Sequence, residues 1–521
     1  MDLRNAHYSM PEWETLIRKA EEGEITEALE NVHREKGNSY DVIFVGGGAG
    51  GRFGSAFAQA RGLRQLVVDK WPFLGGSCPH QACVPHHLFS EAAREMDYMR
   101  TYSDTLWFPK FDEANASIVD MIEVFKAGRN NPHAFMNWQS KEQLDMEYIL
   151  NAPAVVVDKN TVTVNGEVFK TKNLVLATGA RSYFPPEIPG LDKKGVYEFA
   201  NLIDPGLDYE PTSCVIIGGS KIAMEYGSFF QATGCQTTIL TRSPLMKTAS
   251  LHHVDEDLRT YVIKNMTRRG MEIVEGITIL EVEGDEQVTG VRVRLADGTE
   301  KTFHTDFVFL GTGERPATAD FVDALGIEVD DKGFIKVNSR MQTSVEGVYA
   351  IGDLIGSPME MFKARKCGVT AARNIAGEDI EFDFSEYPDF LHTTYEVTWV
   401  GLSEDEAREK YGDITVIQMP PKGMPDEQLC LPCAEGTMLH AFQKPELSGF
   451  QKCIYDNNSR RLVGAHHVGF GAKDSFQYLD YLIKQGITID EMGWMNELFL
   501  NPEHFIQLSR LRAGNAMLTD L

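Results

Sequence analysis

A glycine-rich turn between an apolar strand and a helix is the feature that most constrains the fold of this chain. The stretch YDVIFVGGGAGGRFGSAFAQA begins with an apolar, β-rich run, continues through Gly46, Gly48 and Gly51 in GxGxxG spacing, and becomes helical. A second strand, LVVD, ends at Asp69. Such glycines let the backbone approach a pyrophosphate at a helix N-terminus, and an acid about 20 residues later accepts hydrogen bonds from a ribose. The pattern predicts a dinucleotide-binding Rossmann fold.

A second turn of the same kind lies in CVIIGGSKIAMEYGSFFQATGCQTTILTRS. Gly218 and Gly219 are followed by Ser220, which stands where a third glycine is usual, so this match is looser. Arg242, rather than an acid, stands just beyond the next strand, where an arginine accommodates a 2′-phosphate. These residues favour NADPH over NADH. The alternative is a surface arginine that happens to follow a strand.

Two Rossmann folds in one chain predict a flavin site and a second site for the nicotinamide that reduces the flavin. Two later segments that combine a strand with glycines, FVFLGTGERP and GVYAIGDLIG, fit this pairing. In the second of them we expect Gly352 and Asp353 at a strand end beside a cofactor. The alternative for Asp353 is an ordinary turn aspartate.

Composition excludes several classes of partner. The chain has 521 residues, of which 43% are hydrophobic and 24% charged, and its formal net charge is -26. That charge repels nucleic-acid phosphates and anionic membranes, and no apolar run reaches the roughly 18 residues that a membrane span needs. Because the first residues also lack the apolar core of a secretion signal, we expect a cytoplasmic enzyme that binds neither nucleic acid nor membrane.

The stretch LGGSCPHQACVPHH brings together five side chains that could bind a metal or carry redox chemistry: Cys78, His80, Cys83, His86 and His87. Structural zinc sites usually combine two short ligand pairs, and no second pair follows nearby. The spacing disfavours a metal site. The eight cysteines are also too few for a disulfide scaffold, so a redox-active pair remains the alternative to zinc.

The order and spacing of these motifs resemble the pyridine nucleotide-disulfide oxidoreductases, the flavoprotein family of glutathione reductase. The matching stretches are VGGGAGG, GGSCPHQACVP, LVLATGA, the second glycine turn, FLGTGERP and YAIGDLIG. The resemblance implies FAD and NADPH as cofactors and a homodimer. It also implies that Cys78 and Cys83 form the redox disulfide, with Cys83 beside the flavin and Cys78 as the nucleophile that attacks substrate sulfur.

The motifs and the resemblance together predict an α/β fold with two Rossmann-like nucleotide-binding domains and a C-terminal α+β dimerisation domain. The predicted segments are a helical extension over 1–38, an FAD-binding domain with the cysteine pair over 39–190, an NADPH-binding domain over 191–315, a segment completing the FAD-binding part over 316–382, and the dimerisation domain over 383–521. In the last segment, Ser403 and Glu406 predict a helix capping box, and Asn457-Asn458 predicts a hairpin turn.

One departure from the family pattern lies in the C-terminal run FLNPEH. Family members have a histidine and a glutamate there that move a proton at the attacking thiol, whereas this chain has Phe499 and His504. A phenyl ring cannot carry a proton, and its apolar surface keeps water away. A carbanion released by thiolate attack could then react with CO2.

In this respect the sequence resembles the branch of the family that cleaves the thioether 2-ketopropyl-coenzyme M and carboxylates the released enolate to acetoacetate. The stretches shared with that branch include RFGSA, NPHAFMN, SPMEMFKARK and LFLNPEHFIQLSRLRAG. The resemblance implies that Arg52 and Arg365 bind the coenzyme M sulfonate, that Met136 and Met361 line the substrate channel, and that His80 and His504 steady the enolate.

Two other functions remain open from the sequence. One is an NADPH-dependent reductase of another disulfide or thioether, with a different proton source. The other is a flavoprotein subunit that passes electrons to a partner without using its cysteines on a substrate, because one fold serves many functions. We interpret Cys430 and Cys433, in a proline-rich stretch, as loop thiols rather than as a second redox pair.

Overall fold

The computed structural model describes residues 31–103, 117–248, 251–318, 321–422, 447, 449–469 and 471–494. Most of the helix predicted over 1–38 therefore lies outside the described residues. Its described end corrects the prediction, because Val32–His33 is a short strand that pairs antiparallel with Tyr148–Ile149. The Asn31 carbonyl also accepts a hydrogen bond from the Leu150 N–H at 2.6 Å. Backbone pairing with a sheet edge, rather than helix formation, satisfies the polar groups of this segment.

The elements follow one another along the chain as follows. The strands are β1 Val32–His33, β2 Ser39–Val45, β3 Gln65–Val68, β4 Tyr148–Ile149, β5 Ala154–Asp158, β6 Thr161–Val164, β7 Glu167–Leu176, β8 Ala180–Ser182, β9 Val196–Tyr197, β10 Ser213–Ile217, β11 Gln236–Thr241, β12 Glu272–Glu275, β13 Thr278–Glu283, β14 Gly290–Arg294, β15 Glu300–His304, β16 Phe307–Leu310, β17 Glu314–Pro316, β18 Val348–Ala350, β19 Asp389–His392, β20 Glu396–Gly401, β21 Ile414–Met419, β22 Phe450–Asp456 and β23 Arg461–Val468. The α-helices are α1 Ala49–Gln59, α2 Ser77–His80, α3 Cys83–Tyr102, α4 Ile118–Gly128, α5 Asn130–Trp138, α6 Phe199–Ile203, α7 Lys221–Ala232, α8 Glu256–Arg268, α9 Val322–Leu325, α10 Met361–Ile375, α11 Glu404–Tyr411 and α12 Ala472–Gln485. A π-helical turn spans Gln139–Gln143, and 3-10 turns span Gly352–Ile355 and Glu491–Trp494.

The first sheet has the strand order β1-β4-β3-β2-β7-β6-β5, with β18 paired to β7. Its central strands β3, β2, β7 and β18 are parallel. Residues 42–45 of β2 are buried, in keeping with their unbroken apolar run. On one face α1 and α10 pack closely, because a Cβ on Gly50, Gly54 or Gly368 would meet the facing helix backbone. Because β18 and α10 come late in the chain, the first nucleotide-binding half is built from two segments that are far apart in the sequence.

The second sheet is parallel throughout, in the order β12-β11-β10-β16-β9. Helix α7 connects β10 to β11, and its Phe229 and Phe230 belong to one core cluster with Phe307 and Phe309 of β16. An antiparallel sheet of β13, β14 and β15 follows β12 along the chain. In such open α/β sheets ligands bind beyond the carboxyl ends of the strands, which is where the turn between β10 and α7 lies.

The C-terminal part is an antiparallel sheet in the order β19-β20-β23-β22-β21 with α12 packed on it. The capping box is confirmed, because the Ser403 N–H donates to Glu406 Oε2 at 2.8 Å and the Ser403 hydroxyl oxygen accepts from the Glu406 N–H at 3.4 Å. The hairpin is confirmed as well, since β22 and β23 pair across Asn457-Asn458. The predicted fold class, two α/β nucleotide-binding halves followed by an α+β domain, is therefore confirmed.

Lys452, on β22, ties the C-terminal sheet to the second nucleotide-binding half. Its side chain is 1% exposed, and its ammonium contacts Asp255 at 2.9 Å, Asp257 at 2.8 Å and Glu404 at 2.7 Å. Burial alone would lower the pKa of Lys452, but these carboxylates raise it above the ordinary lysine value. A folded-state pKa that is raised in this way stabilises the fold at neutral pH, and the contribution is lost only as pH rises through that pKa.

We expect Lys452→Met to destabilise the protein by about 3–5 kcal/mol, because three carboxylates lose their buried cation. Lys422→Met is the matched control, since Lys422 contacts the same Asp257 at 3.0 Å but is 69% exposed. Its loss should cost no more than about 1 kcal/mol. Thermal and urea unfolding of the purified proteins at pH 7 would measure both, and equal effects of the two substitutions would contradict the prediction.

Within the described ranges, no helix is long and apolar enough to cross a bilayer. Those ranges also contain no group of three or more His, Cys, Asp or Glu side chains arranged to hold a metal ion.

Candidate active site

The first glycine turn, between β2 and α1, has the geometry of a dinucleotide cradle. Gly46 has φ +110°, and a side chain there would collide with the Ala177 backbone. A side chain at Gly51 would collide with the Gly46 carbonyl, so this glycine lets α1 pack on the turn. Gly48 precedes the first residue of α1 and has an extended φ and ψ, leaving the helix N-terminus open to an anion.

Asp69 closes the opposite side of this turn. Its Oδ2 accepts a hydrogen bond from the Gly47 N–H at 2.6 Å, and its Oδ1 accepts one from the Trp71 N–H at 2.9 Å. Burial raises the pKa of Asp69, and the two N–H groups oppose that rise. The carboxylate therefore both fixes the glycine turn and presents acceptor oxygens to the space above it.

The second glycine turn, between β10 and α7, is equally tight. Gly218 has φ +149°, and a side chain there would collide with the Gly311 backbone, while one on Gly219 would collide with the Thr241 hydroxyl. Ser220 precedes α7 in extended conformation. Its φ of -106° is accessible to any residue, so the missing third glycine does not disturb the turn.

One cleft of about 1770 Å³ joins the two turns. The predicted residues that line it are Gly46, Gly48, Asp69, Cys78, Cys83, Gly218, Gly219, Ser220, Arg242, Gly352, Asp353 and Met361. Gly51 does not line it, in keeping with its packing role, and neither do Arg52, Met136, His80 or Arg365. The structure therefore brings both cysteines and all the predicted cofactor residues except Gly51 to a single cavity.

Burial also raises the pKa of Asp353 and Glu314, which line this cleft. Asp353 follows Gly352 directly after β18, and burial raises its pKa, opposed by the nearby Lys363. Burial and the neighbouring Asp353 raise the pKa of Glu314 to about 8. Sequence reasoning did not single out Glu314, although it lies in the quoted stretch FVFLGTGERP.

The two cysteines differ in their electrostatics. Cys78 lies in α2, Cys83 begins α3, and both are free thiols. A hydrogen bond with Cys83 lowers the pKa of the Cys78 thiol, burial opposes this, and the Arg365 cation reinforces it. The same hydrogen bond and burial raise the pKa of Cys83 well above its ordinary value. Because the thiolate is the nucleophile, Cys78 is the better placed of the two to attack a substrate.

Met361, the first residue of α10, covers the Cys78 thiol. Its Sδ lies 3.6 Å from Cys78 Sγ. Four residues on, the guanidinium of Arg365 stacks over the Phe53 ring at 5.3 Å from the centroid. Helix α10 thus presents a soft apolar group to the reactive thiol and a cation near it.

Arg52 contacts the Met136 carbonyl oxygen at 3.5 Å. The Arg52 guanidinium donates to Ser140 Oγ at 2.9 Å and to Gln139 Oε1 at 2.5 Å. Met136 Sδ is so close to Gly75 that a Cβ there would lie 2.7 Å from it. Part of the donor set of Arg52 is therefore already used to hold the π-helical turn that follows Met136.

His80 points toward an aromatic cluster. Its Nε2 lies 3.4 Å from Asp204 Oδ2, and Asp204 in turn accepts two bonds from Arg129 at 2.6 and 3.0 Å. Burial and the Arg129 cation lower the pKa of His80, so the imidazole is neutral at pH 7. Among the described residues its Nδ1 has no hydrogen-bond partner.

His133 packs beside His80, and sequence reasoning did not single it out. Its ring stacks on Phe73 with centroids 3.8 Å apart and lies 5.3 Å from the His80 ring. Burial lowers its pKa to about 4, and within the described residues its Nε2 lacks a hydrogen-bond partner. The signal was the spacing in NPHAFMN, where His133 and Met136 stand three apart on one helix face.

Phe499, His504, Cys430 and Cys433 lie outside the described residues. Their predicted roles rest on the sequence.

Comparison with known proteins identifies the relatives of this chain. The model of the pyridine nucleotide-disulphide oxidoreductase family matches residues 40–368, and the model of that family's dimerisation domain matches residues 387–508. A mercuric reductase from Bacillus cereus is 27% identical over 465 residues, which are 88% of this chain and 69% of the relative. A dihydrolipoyl dehydrogenase from Bacillus subtilis (strain 168) is 28% identical over 471 residues, 87% of this chain and 92% of the relative.

The fold also resembles that of a solved flavoprotein. The HOCl-induced flavoprotein disulfide reductase RclA from Escherichia coli superposes with a TM-score of 0.74 at 20% identity, covering 90% of this chain and 99% of that one. The two glycine turns, with no room for side chains, and the acid at Asp69 fit the dinucleotides that the family uses. The chain therefore belongs to the pyridine nucleotide-disulphide oxidoreductase family, whose cofactors are FAD and NAD(P)H.

Proposed function

We propose that this oxidoreductase reductively cleaves 2-ketopropyl-coenzyme M and carboxylates the released enolate, giving acetoacetate and coenzyme M. The observation that carries the proposal is Phe499 in FLNPEH, where family members have a histidine that moves protons. A reductase that must protonate its leaving group would be handicapped by this change. An enzyme whose carbanion must survive until CO2 arrives benefits from it.

The cysteine pair supplies the bond changes. FAD and NADPH, when bound, provide the two electrons that convert the Cys78–Cys83 disulfide to the dithiol. The Cys78 thiolate attacks the thioether sulfur, so a sulfur–sulfur bond forms, the sulfur–carbon bond breaks, and the electron pair leaves with the carbon as an enolate. Cys83 then displaces the coenzyme M thiolate from Cys78 and re-forms the disulfide.

The surroundings of Cys78 support a proton-poor site. In the described part of the chain, the partners of its thiol are Cys83, whose pKa is raised, and the Met361 thioether, which has no exchangeable proton. His80, the imidazole nearest in sequence, instead faces Asp204. An enolate formed at this thiol would meet CO2 before it met a strong proton donor.

Arg365 is the better supported of the two proposed sulfonate ligands. Among the described residues its guanidinium packs on Phe53 and takes part in no ion pair, so its donors remain available to an anion. Arg52 would bind the sulfonate with the N–H groups that do not donate to Ser140 or Gln139. Guanidinium groups suit this task because they present several N–H donors in fixed geometry.

Replacing Arg365 tests its electrostatic effect on the nucleophile. We expect Arg365→Gln to raise the pKa of Cys78, because a cation that favours the thiolate is lost. The iodoacetamide reaction of the reduced enzyme should therefore reach its half-maximal rate at a higher pH, while Arg365→Lys should shift it less. Lys366→Gln on the adjacent, exposed position is the control, and an identical pH profile for it and Arg365→Gln would contradict the prediction.

Arg242, at the end of β11 and on the wall of the cleft, is proposed to select NADPH. Loss of a charge-assisted hydrogen bond costs about 1.5–3 kcal/mol. We expect Arg242→Gln to reduce kcat/KM for NADPH by about 10–100-fold and to leave that for NADH nearly unchanged. Arg294→Gln, on the exposed hairpin, should change neither. An equal loss with both nucleotides would mean that Arg242 does not read the 2′-phosphate.

The direct test of cleavage is turnover with and without CO2. The purified enzyme is given NADPH and 2-ketopropyl-coenzyme M, and released coenzyme M is measured as free thiol, with acetoacetate and acetone quantified separately. The proposal predicts thiol release with acetoacetate as the main organic product. If thiol is released but the products are the same after CO2 is removed, the enzyme is a thioether reductase instead. If only other disulfides turn over, cleavage of this thioether is excluded.

The proposed active form is a homodimer in which Phe499 and His504 of one subunit reach the cysteine pair of the other. The match of residues 387–508 to a dimerisation domain supports the assembly.

A further inference from the structure

A half-buried lysine stands directly after the second glycine turn. Lys221 is the first residue of α7, and its side chain is 17% exposed. Its ammonium forms an ion pair with Glu360 and contacts Asp389 at 2.7 Å. It also lies 4.1 Å above the Phe390 ring. The redox steps described above leave this cation without a role.

Lys221 connects three parts of the molecule. Its own helix starts at the proposed nicotinamide turn, Glu360 is the residue that precedes α10 of the first nucleotide-binding half, and Asp389 begins the C-terminal sheet. All three residues line the same cleft. The ion pairs therefore form where the second glycine turn, the cysteine-bearing half and the C-terminal sheet meet.

The groups around Lys221 keep it charged. Burial opposes the charge, but Glu360, Asp389 and Glu225 raise the pKa of Lys221. Burial raises the pKa of Glu360, and Lys221 opposes that rise. Because breaking a buried ion pair leaves its partner uncompensated, the positions of Lys221 and Glu360 are strongly linked.

The imidazole nearest to the carboxylates around Lys221 is uncharged. Glu225, one turn further along α7, accepts from the His392 N–H at 2.7 Å and lies 3.3 Å from His86 Nε2. Burial, with a smaller effect of Lys221, lowers the pKa of His86 to about 3. His86 is therefore neutral and does not compensate the carboxylates that face Lys221.

The other end of the ion pair leads to the reactive thiol. Glu360 is followed directly by Met361, whose Sδ lies 3.6 Å from Cys78 Sγ. A displacement of the Glu360 backbone would also move the start of α10, and with it the Met361 side chain beside Cys78. A continuous path therefore runs from the turn before Lys221 through Glu360 and Met361 to Cys78.

We propose that Lys221 is a positioning residue that couples occupation of the nicotinamide turn to the exposure of Cys78. A dinucleotide on the cleft side of Lys221 restricts the lysine to its carboxylate partners. The Lys221–Glu360 pair then fixes Met361 over the thiol. Coupling between two binding equilibria is reciprocal, so breaking the Lys221–Glu360 pair should also change the affinity for the nucleotide.

The test measures alkylation of Cys78 and needs no thioether substrate, so its result is independent of whether the enzyme carboxylates. The FAD-loaded enzyme is reduced with dithiothreitol, freed of it without air, and treated with limiting iodoacetamide with and without saturating NADP⁺. Carbamidomethylation of Cys78 is followed by peptide mass spectrometry. We expect NADP⁺ to slow the reaction about tenfold in the wild type, a common size for coupling between two sites.

Lys221→Met should bring the ratio of rates without and with NADP⁺ close to 1, and Lys221→Arg should restore most of the wild-type ratio. Lys194→Met is the matched control, because Lys194 forms an exposed ion pair with Asp208 at 3.0 Å, and it should behave as wild type. If Lys221→Met fails to fold, Glu360→Gln breaks the same pair from the other side and must lose the NADP⁺ effect. It should also weaken NADP⁺ binding.

Two results would overturn the proposal. One is a wild-type enzyme in which NADP⁺ leaves Cys78 alkylation unchanged. The other is an NADP⁺ effect that survives in full in Lys221→Met or Glu360→Gln, which would mean that the nucleotide shields the thiol directly.

Discussion

Cys78→Ser is expected to abolish thioether cleavage, with a loss on the order of 10⁴-fold or more in coenzyme M release. A serine hydroxyl is far less acidic than a thiol and cannot supply the nucleophile that the lowered pKa of Cys78 provides. NADPH should still bleach the flavin absorbance in this variant, because the glycine turns and Arg242 are untouched. The assay is thiol release at saturating NADPH, with flavin reduction followed in the same sample.

Cys83→Ser gives the complementary result. The remaining Cys78 thiol is expected to cleave one thioether per subunit without NADPH and then stop as a mixed disulfide with coenzyme M. Intact-protein mass spectrometry detects this adduct. If Cys78→Ser keeps full activity as an electron donor to a partner and Cys83→Ser forms no adduct, the cysteines do not act on a substrate, and the chain is an electron-transfer subunit.

Phe499→His is expected to turn the carboxylase into a reductase. An imidazole at this position can protonate the enolate, and general acid catalysis contributes roughly 10²–10⁴-fold to such transfers. The ratio of acetone to acetoacetate should rise by at least about tenfold, an effect well below the full contribution of a general acid. Products are quantified by gas chromatography at fixed CO2.

Phe499→Leu is the control for this prediction, since leucine is apolar and carries no exchangeable proton. It should keep acetoacetate as the main product even if turnover slows. Equal product ratios in the histidine and leucine variants would show that the side chain at 499 does not decide the fate of the enolate.

The sequence predicts a feature correctly where residues close together in the chain form that feature. The turn at Gly46, Gly48 and Gly51 and the capping box at Ser403 and Glu406 depend on residues a few positions apart, and both lie where the sequence predicts. The acid at Asp69 could also be predicted, because one βαβ unit fixes its distance from the turn.

Features made by distant segments could not be read from the sequence. Lys221 meets Glu360 and Asp389 only because helix and strand ends of three parts of the fold converge. The neutral state of His80 depends on Arg129 and on burial, neither of which its own motif shows. The strand at Val32–His33 exists because a sheet edge is available at β4, whereas the local pattern favoured a helical extension. The boundaries proposed for the five segments and the catalytic roles of the individual residues stay predictions.

The most direct measurement is carbon incorporation. The purified, FAD-loaded enzyme is incubated with NADPH, 2-ketopropyl-coenzyme M and ¹⁴C-labelled bicarbonate, and acetoacetate is isolated and counted against the coenzyme M released. Carboxylation by this enzyme predicts about one labelled carbon in acetoacetate for each thiol released, as the bond changes at Cys78 require. Thiol release with unlabelled acetone as the product, under conditions in which the flavin is reduced, would contradict it.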